Sequence, residues 1–257
     1  MIKAVFFDVD GTLLPIGSGK IPQSAQTSLK KLKENGTKIF LSTGRHANEI
    51  HQMSLDDLSF DGYISLNGQL CLDENFEVVF GNPIDPKGTE ELLNIFREKS
   101  VSIVLTREKD QCINFVSDLA AEVMANIAVE IPEASDVDDS PIYQATTFYR
   151  NDSNCWFNYQ CPTGCKITRW CDGAVDILSE KGGKVIGINE YIKRLGITKD
   201  EIMAFGDAEN DVEMLEYAAI GVAMGNGKEA AKTVADYVTA SVEEDGIEKA
   251  LKHYDLI

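Results

Sequence analysis

The chain has 257 residues, of which 44% are hydrophobic and 26% charged, and its formal net charge is −18 at pH 7. This composition is typical of an ordinary globular protein, and the length suits one core with an inserted lobe. The negative charge argues against nucleic acid and anionic membrane surfaces as partners, because both would be repelled.

Strands and helices are predicted to alternate over the first third of the chain, where apolar runs end at turn residues. In chain order they are a strand over 3–8, a loop over 11–23, a helix over 24–35, a strand over 38–41, a helix from Arg45 to about Met53, a strand over 63–66, and paired strands over 70–72 and 76–80.

The pattern changes near Pro83 and returns to strand–helix alternation near Lys184. The middle part is predicted to contain a helix over 88–99, a strand over 101–105, a helix over 118–128 and further strands. The last part is predicted to contain helices over 184–194, 210–217, 228–234 and from Glu244, and strands over 202–205, 220–223 and 237–238.

Alternation of this kind predicts a parallel sheet with helices on both faces. The fold class is therefore α/β, with a Rossmann-like parallel-sheet core formed by residues 1–83 and 181–257. Residues 84–180 form an inserted α+β cap domain in this interpretation. Its hinges are expected near Pro83 and the segment Lys181-Gly182-Gly183.

Two carboxylates, Asp8 and Asp10, stand at the end of the first predicted strand, directly before Gly11 and Thr12. In proteins with parallel sheets, binding and catalytic residues lie at the carboxyl ends of the strands. Burying acids there is costly unless they bind a cation or take part in a reaction. A carboxylate can attack a phosphoryl group while a neighbouring acid moves the proton. A solvated Asp-Gly turn is the simpler alternative.

A second acidic strand end carries Asp207, Asn210 and Asp211. Oxygen ligands of this type suit Mg²⁺, whereas helix capping would explain the same residues in isolation. The presence of the first acidic strand end favours metal binding.

Candidate phosphate ligands stand at two further helix starts. Ser42 and Thr43 follow a strand, where hydroxyls and free amides can bind phosphate oxygens or cap the helix. Lys184 follows two glycines and could neutralise a phosphate, although an exposed lysine is the ordinary expectation.

Together these segments resemble the four sequence motifs of the haloacid dehalogenase superfamily of phosphatases, in its Cof-type, subfamily IIB branch. In chain order the matching segments are Asp8-Val-Asp10-Gly-Thr12-Leu, Ser42-Thr43-Gly44-Arg45, Lys184 and Gly206-Asp207-x-x-Asn210-Asp211. Further matches are Gly221-Val-Ala-Met224-Gly-Asn226 and Glu244-Asp245-Gly246. The resemblance implies the fold of that superfamily, with the cap between the second and third motifs.

The resemblance also implies the chemistry. Asp8 would be the nucleophile and Asp10 the general acid/base, an acid that the dehalogenases of the superfamily lack. Thr43 and Lys184 would hold the transferring phosphoryl group. The full set of implied phosphate-binding positions is Asp8, Gly11, Thr12, Ser42, Thr43, Gly44, Asn67, Lys184 and Asn210.

Mg²⁺ is the implied cofactor. Asp8, the carbonyl of Asp10 and Asp207 would bind it, with Asn210 and Asp211 in support. The expected reaction is hydrolysis of small phosphate monoesters, such as sugar phosphates or phosphorylated cofactors, through an aspartyl phosphate. A sugar phosphomutase with the same core residues and a non-catalytic phosphoacceptor module are the alternatives.

The partner is expected to be a small phosphorylated metabolite chosen by the cap, where Arg169, Trp170 and Asp172 are candidate contacts. No signal peptide or membrane span is evident, so we expect a cytoplasmic protein whose six cysteines are free thiols. The spacing of Cys161, Cys165 and Cys171 matches no standard zinc site. The sequence leaves the oligomeric state open.

Overall fold

Two β-sheets organise the fold. The computed structural model describes residues 1–53, 55, 58–127, 129–150, 155, 157 and 160–257. Its strands, in chain order, are β1 (Ala4–Phe7), β2 (Lys38–Ser42), β3 (Tyr63–Ser65), β4 (Leu70–Leu72), β5 (Val78–Gly81), β6 (Ile103–Thr106), β7 (Gln111–Ile113), β8 (Gln144–Phe148), β9 (Cys165–Cys171), β10 (Ala174–Ser179), β11 (Ile202–Gly206), β12 (Ile220–Ala223) and β13 (Tyr237–Val238).

The helices of the described residues flank these sheets. They are α1 (Gln23–Glu34), α2 (Ala47–Gln52), α3 (Pro86–Glu98), α4 (Asp118–Asn126), α5 (Lys184–Leu195), α6 (Val212–Tyr217), α7 (Glu229–Val234) and α8 (Gly246–His253).

The larger sheet has eight strands in the order β13-β12-β11-β1-β2-β3-β4-β5. Its strands run parallel from β13 to β3, and β4 and β5 continue it as an antiparallel hairpin. This sheet confirms the predicted α/β fold class with a parallel-sheet core.

Central strand β1 is buried on both faces of this sheet, as a continuous apolar run in a parallel sheet should be. Val5 and Phe7 pack with the helices α1 and α8 on one face. Ala4 and Phe6 pack on the other face, against α5 and α6. The alternation follows from the two-residue period of a strand.

The smaller sheet is antiparallel, in the order β7-β6-β8-β10-β9, and forms the cap. Apolar residues of α3 pack with one of its faces and those of α4 with part of the other. The rest of that second face carries polar side chains, among them Thr146 and Asp176, which are direct neighbours on β8 and β10.

Among the predicted elements that begin later than expected, two do so because a side chain binds backbone groups. The strand predicted from Val101 begins at Ile103, since Asn114 accepts from the Ile103 N–H and donates to the Val101 carbonyl. The helix predicted from Asn210 begins at Val212, after a 3₁₀ turn over Glu209–Asp211. Of the helix predicted over 118–128, Ala128 lies outside the described residues.

None of the helices in the described part of the chain has the length and apolar character that a membrane span requires.

The Gly68 position tests how tightly the turn after β3 is packed against the segment that carries Lys184. Gly68 has φ +89°, and a Cβ there would overlap the Gly183 carbonyl oxygen. We expect Gly68→Ala to lower the free energy of unfolding by about 3 kcal/mol or more in denaturant titration, because positive φ and overpacking add.

Gly36→Ala is the matched control, since Gly36 has φ +84° with no atom near its Cβ position. It should cost only the conformational part, about 1 kcal/mol. Equal losses in the two variants would contradict the tight contact.

Candidate active site

Three adjacent strands of the large sheet end at candidate site residues. Thr43 follows β2, Asp8 follows β1 and Asp207 follows β11. Ladder hydrogen bonds hold the first two positions: the Asp8 N–H donates to Phe205 at 3.0 Å and the Thr43 N–H donates to Ile64 at 2.8 Å. The topology therefore brings together side chains that are far apart in sequence, at the carboxyl edge of the sheet.

Lys184 is the first residue of α5, and its side chain is fully buried. Its Nζ donates to Asp8 Oδ1 and to Asp211 Oδ1, both at 2.6 Å. Burial alone would lower the pKa of this ammonium, but the two carboxylates outweigh it and raise the pKa. The exposed-lysine alternative is wrong for this residue.

Asp8, Asp207 and Asp211 form a buried cluster, with one oxygen of each lying within 4.8 Å of the others. Burial, then the charge of Asp211, raises the pKa of Asp8 well above its usual range. The same two causes, in the same order, raise the pKa of Asp207 to about 7. Among the described residues, Lys184 supplies the one ammonium that contacts this group of three carboxylates, so the site is short of positive charge.

The oxygens of this cluster are not equally available. Asp211 Oδ2 accepts from the N–H groups of Asp207 and Ala208, and its Oδ1 is bound to Lys184. Among the described residues, no donor binds the second oxygens of Asp8 and Asp207. Two free carboxylate oxygens in a cluster short of positive charge fit a hard divalent cation.

Gly11 and Thr12 pack beside this cluster. Thr12 Oγ1 donates to Asp207 Oδ1 at 3.2 Å. A side chain at Gly11 would overlap the Asp207 carboxylate, so only glycine leaves space for that carboxylate here.

Asp10 lies apart from the cluster, and its side chain is 44% exposed. Arg45 holds both of its oxygens, with Nε to Oδ2 at 2.8 Å and Nη2 to Oδ1 at 2.7 Å. Sequence reasoning named Arg45 only as part of a motif and missed this contact. A bidentate pair of this geometry fixes the direction of the Asp10 carboxylate.

The serine and threonine after β2 differ in their surroundings. Thr43 Oγ1 accepts from the Arg45 N–H at 3.2 Å. Ser42 Oγ is buried and has no hydrogen-bond partner among the described residues. The structure therefore places Thr43 in the polar network at the strand ends and leaves the Ser42 hydroxyl outside it.

Asn67 joins the core to the cap. Its Oδ1 accepts from Asn210 Nδ2 at 3.1 Å, and its Nδ2 donates to Asp176 Oδ2 at 3.1 Å and to Gln144 Oε1 at 3.2 Å. Gly44 leaves space for it, since a Cβ there would lie 3.1 Å from Asn67 Nδ2. Sequence reasoning missed Gln144 and Asp176, because no local pattern connects a cap strand with this turn.

The three candidate cap residues point in different directions. Trp170 Nε1 donates to Asp176 Oδ1 at 3.2 Å, which places its indole beside Asn67. Arg169 donates to the carbonyls of Tyr149, Cys171 and Asp172 instead. The Asp172 carboxylate is 74% exposed and paired with Arg150.

The cysteines are free thiols, as expected. In the part of the chain that the structure describes, the only group with metal-ligating geometry is the Asp8, Asp207 and Asp211 cluster.

Glu49 lies on α2, near Arg45 and the cap residue Gln111. Burial raises its pKa to about 7, although Arg45 and Gln111 act in the other direction. No sequence pattern indicates a proton-binding carboxyl at this position.

Comparisons of the sequence and the structure with known proteins agree on one protein family. A family model described as haloacid dehalogenase-like hydrolase matches residues 5–251. The chain is 32% identical over 259 residues to a candidate phosphatase, YkrA of Bacillus subtilis (strain 168), covering 99% of this chain and 98% of the relative.

Two solved structures are similar along the whole chain. The subclass IIB sugar phosphatase BT4131 is 34% identical with a TM-score of 0.88, covering 99% of this chain and 100% of that one. BT1666 from Bacteroides thetaiotaomicron, a phosphatase of the same superfamily, is 30% identical with a TM-score of 0.88, covering 100% and 96%.

The raised pKa of Glu49 predicts a pH dependence of stability. The folded chain binds this proton more tightly than the unfolded chain, so the stability that it contributes below about pH 4.5 is lost as the pH rises through about 7. Glu49→Gln removes the titration. Relative to the parent, its free energy of unfolding should rise by about 1–3 kcal/mol between pH 5 and pH 8.

Urea titrations at the two pH values measure this difference, with Glu90→Gln on an exposed part of α3 as the matched control. A Glu49→Gln difference that is the same at both pH values would refute the assignment.

Proposed function

We propose, from the premise that the chain belongs to the haloacid dehalogenase-like hydrolase family, that it hydrolyses small phosphate monoesters through an aspartyl phosphate on Asp8. The chain is a phosphoric monoester hydrolase by its family and its phosphatase relatives. The proposal adds the nucleophile, the cofactor and the substrate class. Its main support is the position of Asp8, held by Lys184 at 2.6 Å with its second oxygen free among the described residues.

Asp8 is suited to attack phosphorus for two reasons. Lys184 and the backbone fix its carboxylate at the strand end, which lowers the entropic cost of reaching the substrate. Lys184 also supplies positive charge where phosphoryl oxygens would lie. Attack by one oxygen of the Asp8 carboxylate forms the Asp8–phosphorus bond as the bond to the leaving oxygen breaks.

Asp10 is suited to move the proton. As general acid it protonates the leaving oxygen, and as general base it takes a proton from the water that hydrolyses the aspartyl phosphate. Its partial exposure and its pairing with Arg45 suit the second role, in which it must be ionised.

Mg²⁺ is the proposed cofactor, with Asp8, Asp207 and the Asp10 carbonyl as the groups that would hold it. When bound it would supply the positive charge that the acid cluster lacks, and stabilise charge on the phosphoryl oxygens. Asp211 would act by orienting Lys184 and the Asp207 loop, since both of its oxygens are already bonded. Asn210 would support the same side of the site.

The proposed substrates are sugar phosphates or phosphorylated cofactors, and the proposed partner is a small metabolite in the cytoplasm. BT4131 is named as a sugar phosphatase, and a Bacillus subtilis relative, 24% identical, is named as a phosphatase of 5-amino-6-(5-phospho-D-ribitylamino)uracil. Both names describe polyhydroxylated phosphate monoesters. The polar face of the cap, which carries Thr146, is chemically suited to hydroxyl groups.

Asp8→Asn tests the nucleophile. The variant keeps the shape of the side chain and the fold, but an amide cannot form the acyl phosphate, so kcat should fall by about 10⁴-fold or more. The measurement is phosphate release from p-nitrophenyl phosphate and a panel of sugar phosphates with Mg²⁺, and after chelation. Asp200→Asn, at an exposed position, is the matched control.

Full activity in Asp8→Asn would disprove the nucleophile. A parent protein that exchanges isotope between two sugar-phosphate isomers without releasing phosphate is a mutase instead. A parent that binds Mg²⁺ and turns over no phosphate monoester is a phosphoacceptor module.

A further inference from the structure

A chain of four polar side chains connects the cap sheet with the acidic loop of the core. We call it the relay, and it consists of Asp176 and Gln144 on the cap with Asn67 and Asn210 on the core. Asp176 is only 7% exposed and Asn67 only 2%. Buried amides and carboxylates of this kind must be matched donor to acceptor, because an unmatched polar atom is expensive to bury.

The direction of the relay is set by a group that cannot donate. Burial raises the pKa of Asp176 to about 6, so the carboxylate is ionised in an assay at pH 8. An ionised carboxylate only accepts hydrogen bonds, so the atom of Asn67 that faces Asp176 must be its NH₂ group. Both hydrogens of that group are used, one on Asp176 and one on Gln144. The Asn67 carbonyl oxygen is therefore turned to the core, where it accepts from Asn210.

Gln144 is oriented in the same sense. Its Nε2 donates to the Gly44 carbonyl oxygen, which leaves its Oε1 to accept from Asn67. The contact is long, at 3.4 Å, so Asp176 is the stronger of the two determinants.

We propose that Asp176 is a positioning residue, which acts through Asn67 to fix the orientation of the Asn210 amide when the cap lies against the core. The relay spans two sheets, so it is complete only when they are in contact. Closure of the cap onto the core would thereby orient the Asn210 amide beside the acid cluster. This inference rests on the proposed function where it is tested by activity. A test by ligand binding is independent of that function.

Asp176→Asn should reverse the direction of the hydrogen bonds in the relay, because the neighbouring Trp170 indole can only donate. Asp176 Oδ1 accepts from Trp170 Nε1 at 3.2 Å and from Thr146 Oγ1 at 2.8 Å. An indole N–H only donates, so in the variant the amide oxygen must stay at that position. The new NH₂ group would then face the NH₂ group of Asn67, and Asn67, Gln144 and Asn210 would all have to turn over.

The first measurement compares kcat/KM for p-nitrophenyl phosphate with Mg²⁺ in the parent and in Asp176→Asn. We expect a decrease of about ten-fold or more, the size of one unmatched buried polar group. Asp139→Asn is the matched control, since it makes the same chemical change on a cap carboxylate that is 88% exposed. It should stay within about two-fold of the parent.

The second measurement separates positioning from a general loss of structure. In Trp170→Phe the donor that pins the oxygen is gone, and the Thr146 hydroxyl can accept as well as donate. Adding Asp176→Asn to Trp170→Phe should therefore cost less than about three-fold, against about ten-fold in the parent. A structural defect at Asp176 would give the same factor in both backgrounds, and that result would overturn the proposal.

Calorimetric titration of inorganic phosphate with Mg²⁺ compares the same four proteins without turnover: the parent, Asp176→Asn, Trp170→Phe and the double variant. The dissociation constant should rise in Asp176→Asn and return toward that of Trp170→Phe in the double variant. If the parent binds phosphate with this coupling but hydrolyses nothing, the relay stands and the proposed function fails. Activity and phosphate affinity unchanged in Asp176→Asn would overturn the relay alone.

The core side of the relay provides a second route should Asp176→Asn fail to fold. Asn67→Gly suits the positive φ of this position and removes both the acceptor for Asn210 and the donors to Asp176 and Gln144. It should lower kcat/KM by about ten-fold or more. Parental activity in Asn67→Gly would equally contradict the proposal.

Discussion

The bridge that Lys184 makes between Asp8 and Asp211 is the interaction on which the rest of the site depends. Three carboxylates are buried in one place, and a buried charge without a partner is strongly unfavourable. Lys184 reaches two of them at 2.6 Å from the first turn of α5. The positions of α5, the turn at Gly68 and the strand ends are all constrained by this contact.

A structure organised around this bridge is left with a deficit of positive charge. Lys184 satisfies one oxygen each of Asp8 and Asp211, while the second oxygens of Asp8 and Asp207 have no donor among the described residues. Burial raises the pKa of Asp207 to about 7, and the nearby charge of Asp211 adds to the shift. This deficit suits the proposed function, since a site that is already neutral would gain little from binding a cation or a phosphoryl group held by one.

The sequence predicts the parts of this site that depend on local pattern and on parallel-sheet topology. Asp8, Thr43 and Asp207 each follow a short apolar run, and neighbouring parallel strands bring their ends together. The sequence pattern offers Lys184 as a phosphate ligand but does not predict its burial, because a lysine after two glycines is ordinarily exposed. The late start of the helix after Asp207 follows from Asp211 binding the backbone of its own loop, which no propensity indicates.

The contacts between cap and core are the least accessible to sequence reasoning. Asp176 and Gln144 are separated from Asn67 by 109 and 77 positions, and each lies in a strand whose pattern predicts only a strand. Trp170 was a candidate cap contact and its indole does lie beside the relay, whereas Arg169 bonds to carbonyls within the cap. The difference is set by which face of β9 each side chain occupies, and that follows from register rather than composition.

The charge deficit is tested most directly by following thermal unfolding during a Mg²⁺ titration, with the parent and Asp207→Asn measured side by side. A cation that binds the folded acid cluster should stabilise the parent in proportion to the logarithm of its concentration, by about 2.7 kcal/mol at a hundred times the dissociation constant. Asp207→Asn replaces one of the two carboxylates that have a free oxygen by a neutral amide. This variant should lose most of the stabilisation. A parent whose unfolding temperature does not respond to Mg²⁺, or an Asp207→Asn variant that responds equally, would contradict the account.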